Sequence, residues 1–183
     1  GRCEGGVVAD DGKLPPADGE AEEAVLGSLL VDPDLIADAA VVLKPEAFYR
    51  EKNRWGYEAC LALYDRGDAI NQITVARELS AQGRLEAMGG AGFLSLLVER
   101  LPTSIHFSDY ARIVSSLHVD RKLISAAAEI AGIGYEADPD VDSAIRRAED
   151  ALLRVRRGDS PREFVPVGRI LEDYWEEGGI AAE

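Results

Sequence analysis

The sequence contains no uninterrupted apolar run of about 18 residues, the length a membrane-crossing helix requires. Its first residues, Gly1 to Pro16, lack the apolar stretch of a secretion signal. Cysteine is scarce: Cys3 lies in a Gly-rich lead, and Cys60 lies in an apolar helical pattern beside Leu61 and Tyr64. No structural disulfide is expected from such a pair, and a cytoplasmic setting fits. Histidine is equally scarce, with His106 and His118 twelve residues apart and no Cys or His cluster at metal-ligand spacing, so no metal site is expected. A phosphate loop is missing as well. The nearest match, Gly6 to Leu14, lacks the glycine five residues before Gly12 and carries Leu14 where a Mg-binding hydroxyl belongs. Positive charge is in deficit. The formal net charge is -14, and a surface of that sign repels phosphate backbones. Enzyme chemistry and autonomous DNA binding are therefore both disfavoured.

Hydrophobic residues make up 46% of the chain, enough for a real core, and their periodicity is helical nearly throughout. The fold class is all-α: a compact bundle of short helices, then a long antiparallel helical hairpin, then a linker helix. Residues 1–16 read as a disordered tail. Residues 17–101 read as the bundle, 102–157 as the hairpin, 158–166 as a linker and 167–183 as the linker helix. Asp18 is placed to cap a first helix through Leu30, and Asp32-Pro33 to start a second that buries Leu35, Ile36 and Ala39. Lys44-Pro45 breaks the pattern. A third helix runs from Glu51 to Arg66 and stops at Gly67. Asn71 caps a fourth, and Gly89-Gly90 opens a fifth with Phe93, Leu94 and Leu97.

From Phe107 to Tyr135 the pattern is one long helix, with Asp138-Pro139 as the turn. The returning arm carries Val141, Ile145, Ala148, Leu152 and Val155 at spacings of 4, 3, 4 and 3, the signature of a helix lying along a partner. The hairpin has more apolar stripe than one arm can cover. Ile113, Val114, Leu117, Leu123 and Ile124, with the returning arm's Val141, Ile145, Leu152 and Val155, are the candidate self-association and partner-binding residues. His118 reads as a packing residue. Arg146, Arg147, Arg154, Arg156 and Arg157 form the only basic patch, read as a solvated helix face. After the linker, Val167, Ile170, Leu171, Tyr174 and Trp175 sit at i, i+3, i+4, i+7 and i+8, opposite Glu172, Asp173, Glu176 and Glu177. A helix this short is marginal alone, so its apolar face needs a docking surface.

An ordered series of segments resembles the bacterial replicative DNA helicase (DnaB-like) family. It comprises Pro15-Pro16 with Glu20, Glu22, Glu23 and the run from Ala24 to Leu30; Leu43-Lys44-Pro45-Glu46 with Phe48-Tyr49; Ile73-Thr74-Val75 with Leu79; Gly89-Gly90 with Phe93-Leu94; Tyr110 to Val114; and Phe164 to Val167. The family usually has His at Asn53, Asp at Asn71 and Asn at His106. The resemblance implies the N-terminal domain plus linker helix of such a helicase, with no catalytic site in this chain. It implies a collar on a hexameric ring, pairing of hairpins between copies, and docking of primase on the collar. The linker helix would pack on the ATPase domain of an adjacent subunit. ATP and Mg would belong to that motor domain, and single-stranded DNA would be met only by the full ring. The competing reading is a free-standing helical DNA-binding protein, which a steep salt dependence of DNA affinity would support.

Overall fold

The protein is described by a computed structural model covering residues 14–101 and 104–158. Helices alone make up the regular structure of those residues. Helix α1 (Gly19–Val31) starts where the Asp18 carboxylate accepts the amides of Glu20 and Ala21 at 3.0 and 2.9 Å, satisfying two donors that a helix start leaves open. It buries Val25, Leu26 and Leu29 completely or nearly so, because α3, α6 and α7 all pack on it. Asp32 does not cap the next helix. Pro33 instead initiates a tight 3-10 turn (Pro33–Leu35), so α2 begins only at Ile36 and runs to Val42. The freed Asp32 carboxylate accepts the Ser104 hydroxyl at 3.2 Å.

Helix α3 (Glu51–Arg66) ends at Gly67, which takes φ of +71°, a left-handed conformation that glycine adopts without steric cost. Its inner face is Asn53, Gly56, Tyr57, Ala59, Cys60 and Leu63. Burial pushes the Cys60 thiol up to about 12, so it is inert near neutral pH. Helix α4 (Gln72–Ala81) carries a reciprocal capping box between Asn71 and Thr74. A one-turn helix, α5 (Leu85–Met88), precedes α6 (Gly90–Arg100) and was not legible in the sequence. It presses Met88 against Gly56, where an added Cβ would lie 2.8 Å from Met88 Cε.

Helix α7 (Phe107–Tyr135) is a continuous rod of 29 residues, and α8 (Val141–Gly158) returns along it. The bundle core takes in Phe107, Ala111 and Val114 from α7. The first turns of the long helix thus complete the core of the bundle. None of the helices among the described residues is long and apolar enough to cross a membrane.

Candidate protein–protein interface

The hairpin can serve as an interface only if its root is held, and the root is held by a buried polar node. Glu22 on α1 is nearly inaccessible, with 2% of its surface exposed. Its carboxylate accepts the Tyr49 amide at 2.6 Å, the Arg50 amide at 3.2 Å and Asn53 Nδ2 at 2.9 Å. A buried carboxylate is tolerated when donors saturate it, and these three tie α1 to the start of α3. From α7, Arg121 donates to the Pro16 carbonyl at 2.8 Å and to the Ala47 carbonyl at 2.5 Å, and lies 5.5 Å over the Tyr49 ring. Desolvation disfavours its charge, and the field of Glu22 opposes that penalty. The sequence pattern assigns no role to Arg121, and Glu22 enters it only through the family resemblance.

Beyond the root, the hairpin seam is made of small side chains. Ala126 and Ile133 on α7 and Ala151 on α8 are buried, and Ala144, Ala148 and Val155 are half-buried on the same line of α8 as Ala151. Alanines let two helices approach closely, and so the larger apolar residues of α8 rotate out of the seam. The expected stripe of Val141, Ile145, Ala148, Leu152 and Val155 is therefore split. Ala148 and Val155 join the seam, while Val141, Ile145 and Leu152 are 63%, 52% and 51% exposed.

The two flanks of the seam differ in chemistry. On one side Arg147 makes a bidentate pair with Glu136 at 2.7 and 3.1 Å, and Arg154 meets Glu129 at 2.5 Å. The hydrogen bonds from Arg147 hold the Glu136 carboxyl below its ordinary range. Helical phase puts Leu123 and Ile130 of α7 on the opposite side of the seam, together with Val141, Ile145 and Leu152 of α8. Leu123 is 45% exposed. A further line, Ile113, Leu117 and Ile124, runs along the back of α7, about 100° round from Leu123. Ile113 and Ile124 are exposed and Leu117 is half-buried.

Val114 is a correction. It shares the buried line of α7 with Phe107, Ala111 and His118 at spacings of three and four, and so belongs to the bundle core and offers nothing to a partner. The basic patch is also divided. Arg147 and Arg154 are engaged within the hairpin, whereas Arg146 and Arg156 form no ion pair with another described residue. No group of three or more His, Cys, Asp or Glu among the described residues is arranged to hold a metal ion. The residues 1–13, 159–166 and 167–183, with Val167, Ile170, Leu171, Tyr174 and Trp175, lie outside the described residues.

Residues 14–116 match the family model described as the DnaB-like helicase N terminal domain. The replicative DNA helicase DnaB of Geobacillus stearothermophilus is 36% identical over 159 residues, covering 87% of this chain and 35% of that protein. The chain thus spans about a third of the length of that relative. The fold is similar to the crystal structure of the N-terminal domain of DnaB helicase from Mycobacterium tuberculosis. There the TM-score is 0.72 at 36% identity, over 76% of this chain and 99% of that one. It is also similar to a DnaB-like replicative helicase whose structure was described with its interactions with primase (TM-score 0.69, 25% identity, 87% of this chain and 36% of that one). Segment order, helical architecture and the matched residues agree: this chain belongs to the DnaB-like helicase N-terminal domain family.

Proposed function

We propose that this chain is the collar domain of a replicative DNA helicase, a scaffold that pairs with its own copies to assemble a hexameric ring and offers primase a docking surface. The observation that carries the reading is the unequal pair of hairpin flanks, one closed by ion pairs and one presenting Leu123, Val141, Ile145 and Leu152 to water. Two copies meeting about a two-fold axis would cover that apolar flank with its own likeness. Primase as a partner is supported by the fold's likeness to the helicase described with primase. In the full protein, the segment around Val167–Trp175 would pack on the ATPase domain of an adjacent subunit. ATP and Mg would act only in that motor domain, and single-stranded DNA would be engaged by the assembled ring in the cytoplasm.

Light scattering across a concentration series tests the pairing. Self-association is expected for the unsubstituted chain and its loss for Leu123→Asp and Ile145→Asp, both at exposed positions and both with unchanged helicity. A concentration-independent monomer for the unsubstituted chain contradicts the proposal. Co-elution with the helicase-binding domain of primase tests the second role, and its failure at micromolar concentrations removes primase from the reading.

A further inference from the structure

The apolar flank of α8 is bordered by a line of three charges. Asp142, Glu149 and Arg156 recur every seven residues and lie about 50° round the helix from Ile145 and Leu152, on the side away from the seam. All three are exposed, and none forms an ion pair with another described residue. We propose that two copies pair through α8 against α8, antiparallel, about a two-fold axis level with Glu149, and that Asp142 and Arg156 of opposite copies select this register. The inference rests on the self-pairing proposed above and adds its geometry and its specificity-determining residues.

Spacing supports the symmetry. Asp142 and Arg156 stand seven residues to either side of Glu149. A two-fold axis crossing α8 at Glu149 brings each Asp142 level with Arg156 of the second copy, and does so twice, as a self-complementary contact must. The same axis brings Ile145 within about 1.5 Å, one residue's rise, of the level of Leu152 of the second copy. The exposed apolar pair is thus covered by its own likeness in the register that joins the opposite charges. Glu149 meets Glu149 at the axis, and that is the repulsive contact of the arrangement.

Two rival arrangements fare worse. Parallel copies put Asp142, Glu149 and Arg156 each level with its own like charge, which is costly at an interface. Packing α8 on the second copy's α7 sets the three charges against the line beside Leu123 and Ile130. That line is Asp120, Ala127 and Gly134, and it holds no cation for Asp142 or Glu149.

Charge reversal in the full 183-residue chain tests the register. Dimerisation is followed by sedimentation at low ionic strength, and helicity by circular dichroism. Asp142→Arg and Arg156→Glu should each weaken self-pairing about tenfold, since each turns two attractive pairs repulsive. A mixture of the two variants should form heterodimers at close to the unsubstituted affinity, because both cross-copy pairs are again of opposite sign. A reversal that loses helicity is replaced by Asp142→Asn or Arg156→Gln, each expected to weaken pairing about threefold. Glu149→Gln should tighten pairing about twofold by removing the like charges at the axis. Heterodimers no stronger than either variant's own dimer overturn the register while the pairing stands. Dimer constants that neither reversal changes do the same, as does a Glu149→Gln dimer no tighter than the unsubstituted one. An unsubstituted chain that stays monomeric at every concentration defeats the pairing itself, and the register with it.

Discussion

The bundle and the hairpin use the same helix-forming vocabulary, but they place their large side chains in opposite ways. In the bundle, Val25, Leu26, Leu29, Tyr57, Leu79 and Leu94 are inaccessible, and the Phe48 and Tyr57 rings meet at 4.8 Å between centroids. In the hairpin, the sealed contacts are mostly alanine, and Leu123, Ile124, Ile145 and Leu152 face outward. One region completes its core within the chain. The other holds its two arms together with small residues and surface ion pairs, and leaves its large apolar area for something else to cover. Stability should therefore depend on the bundle and association on the hairpin.

The sharpest test of that division is Glu22→Ala. Truncation leaves two backbone amides and the Asn53 side chain without their acceptor inside the bundle, and a loss of about 3–5 kcal/mol is expected in urea unfolding. A loss below about 1 kcal/mol would mean that water reaches the node. Next comes a matched pair. Leu29→Ala should cost about 2–5 kcal/mol, whereas Leu152→Ala should change monomer stability by no more than about 0.5 kcal/mol and still weaken self-association. Equal stability losses at the two sites would erase the distinction between the regions.

Gly27→Ala probes a tighter detail of the bundle. A Cβ there would sit 2.9 Å from the Leu97 carbonyl and 3.3 Å from Leu101 Cβ, forcing α1 and α6 apart. A cost of about 1–3 kcal/mol is expected, measured as a lowered denaturant midpoint. The smallest effect belongs to the ionic flank. Arg147 depresses the Glu136 carboxyl, so the pair's contribution is present above the ordinary carboxylate range and is lost as pH falls through the depressed value. Both partners are exposed, so the change is small and screened by salt. Glu136→Gln should abolish whatever pH dependence of hairpin melting lies below about pH 5, and an unaltered profile would assign it elsewhere.

Local signals in the sequence were read well where one residue decides the outcome. Asp18, Asn71 and Gly67 mark helix ends through hydrogen bonds or a left-handed turn that few other residues make as well. Reading failed where the outcome depends on a competing neighbour. Pro33 took the first turn and displaced Asp32 from its cap. α5 is only four residues long, too short for periodicity to register. Alternating spacings of three and four in α8 fit both the large apolar residues and the alanines, and only close approach of the two helices selects Ala144, Ala148, Ala151 and Val155 for the seam. Glu22 was invisible for a different reason, because a carboxylate in an acidic run looks solvated until its three donors are in place.

The continuity of α7 has a mechanical consequence. Its 29 residues make a rod about 43 Å long. The first half is seated in the bundle and fastened near its middle, where Arg121 grips the Pro16 and Ala47 carbonyls. The half beyond Arg121, with α8 packed along it, would act as a lever about 20 Å long. A rotation of about 10° at the fulcrum sweeps the tip through roughly 3–4 Å, more than half a helical pitch. Whatever disturbs the peptide planes at Pro16 or Ala47 is thereby amplified into a displacement at Tyr135.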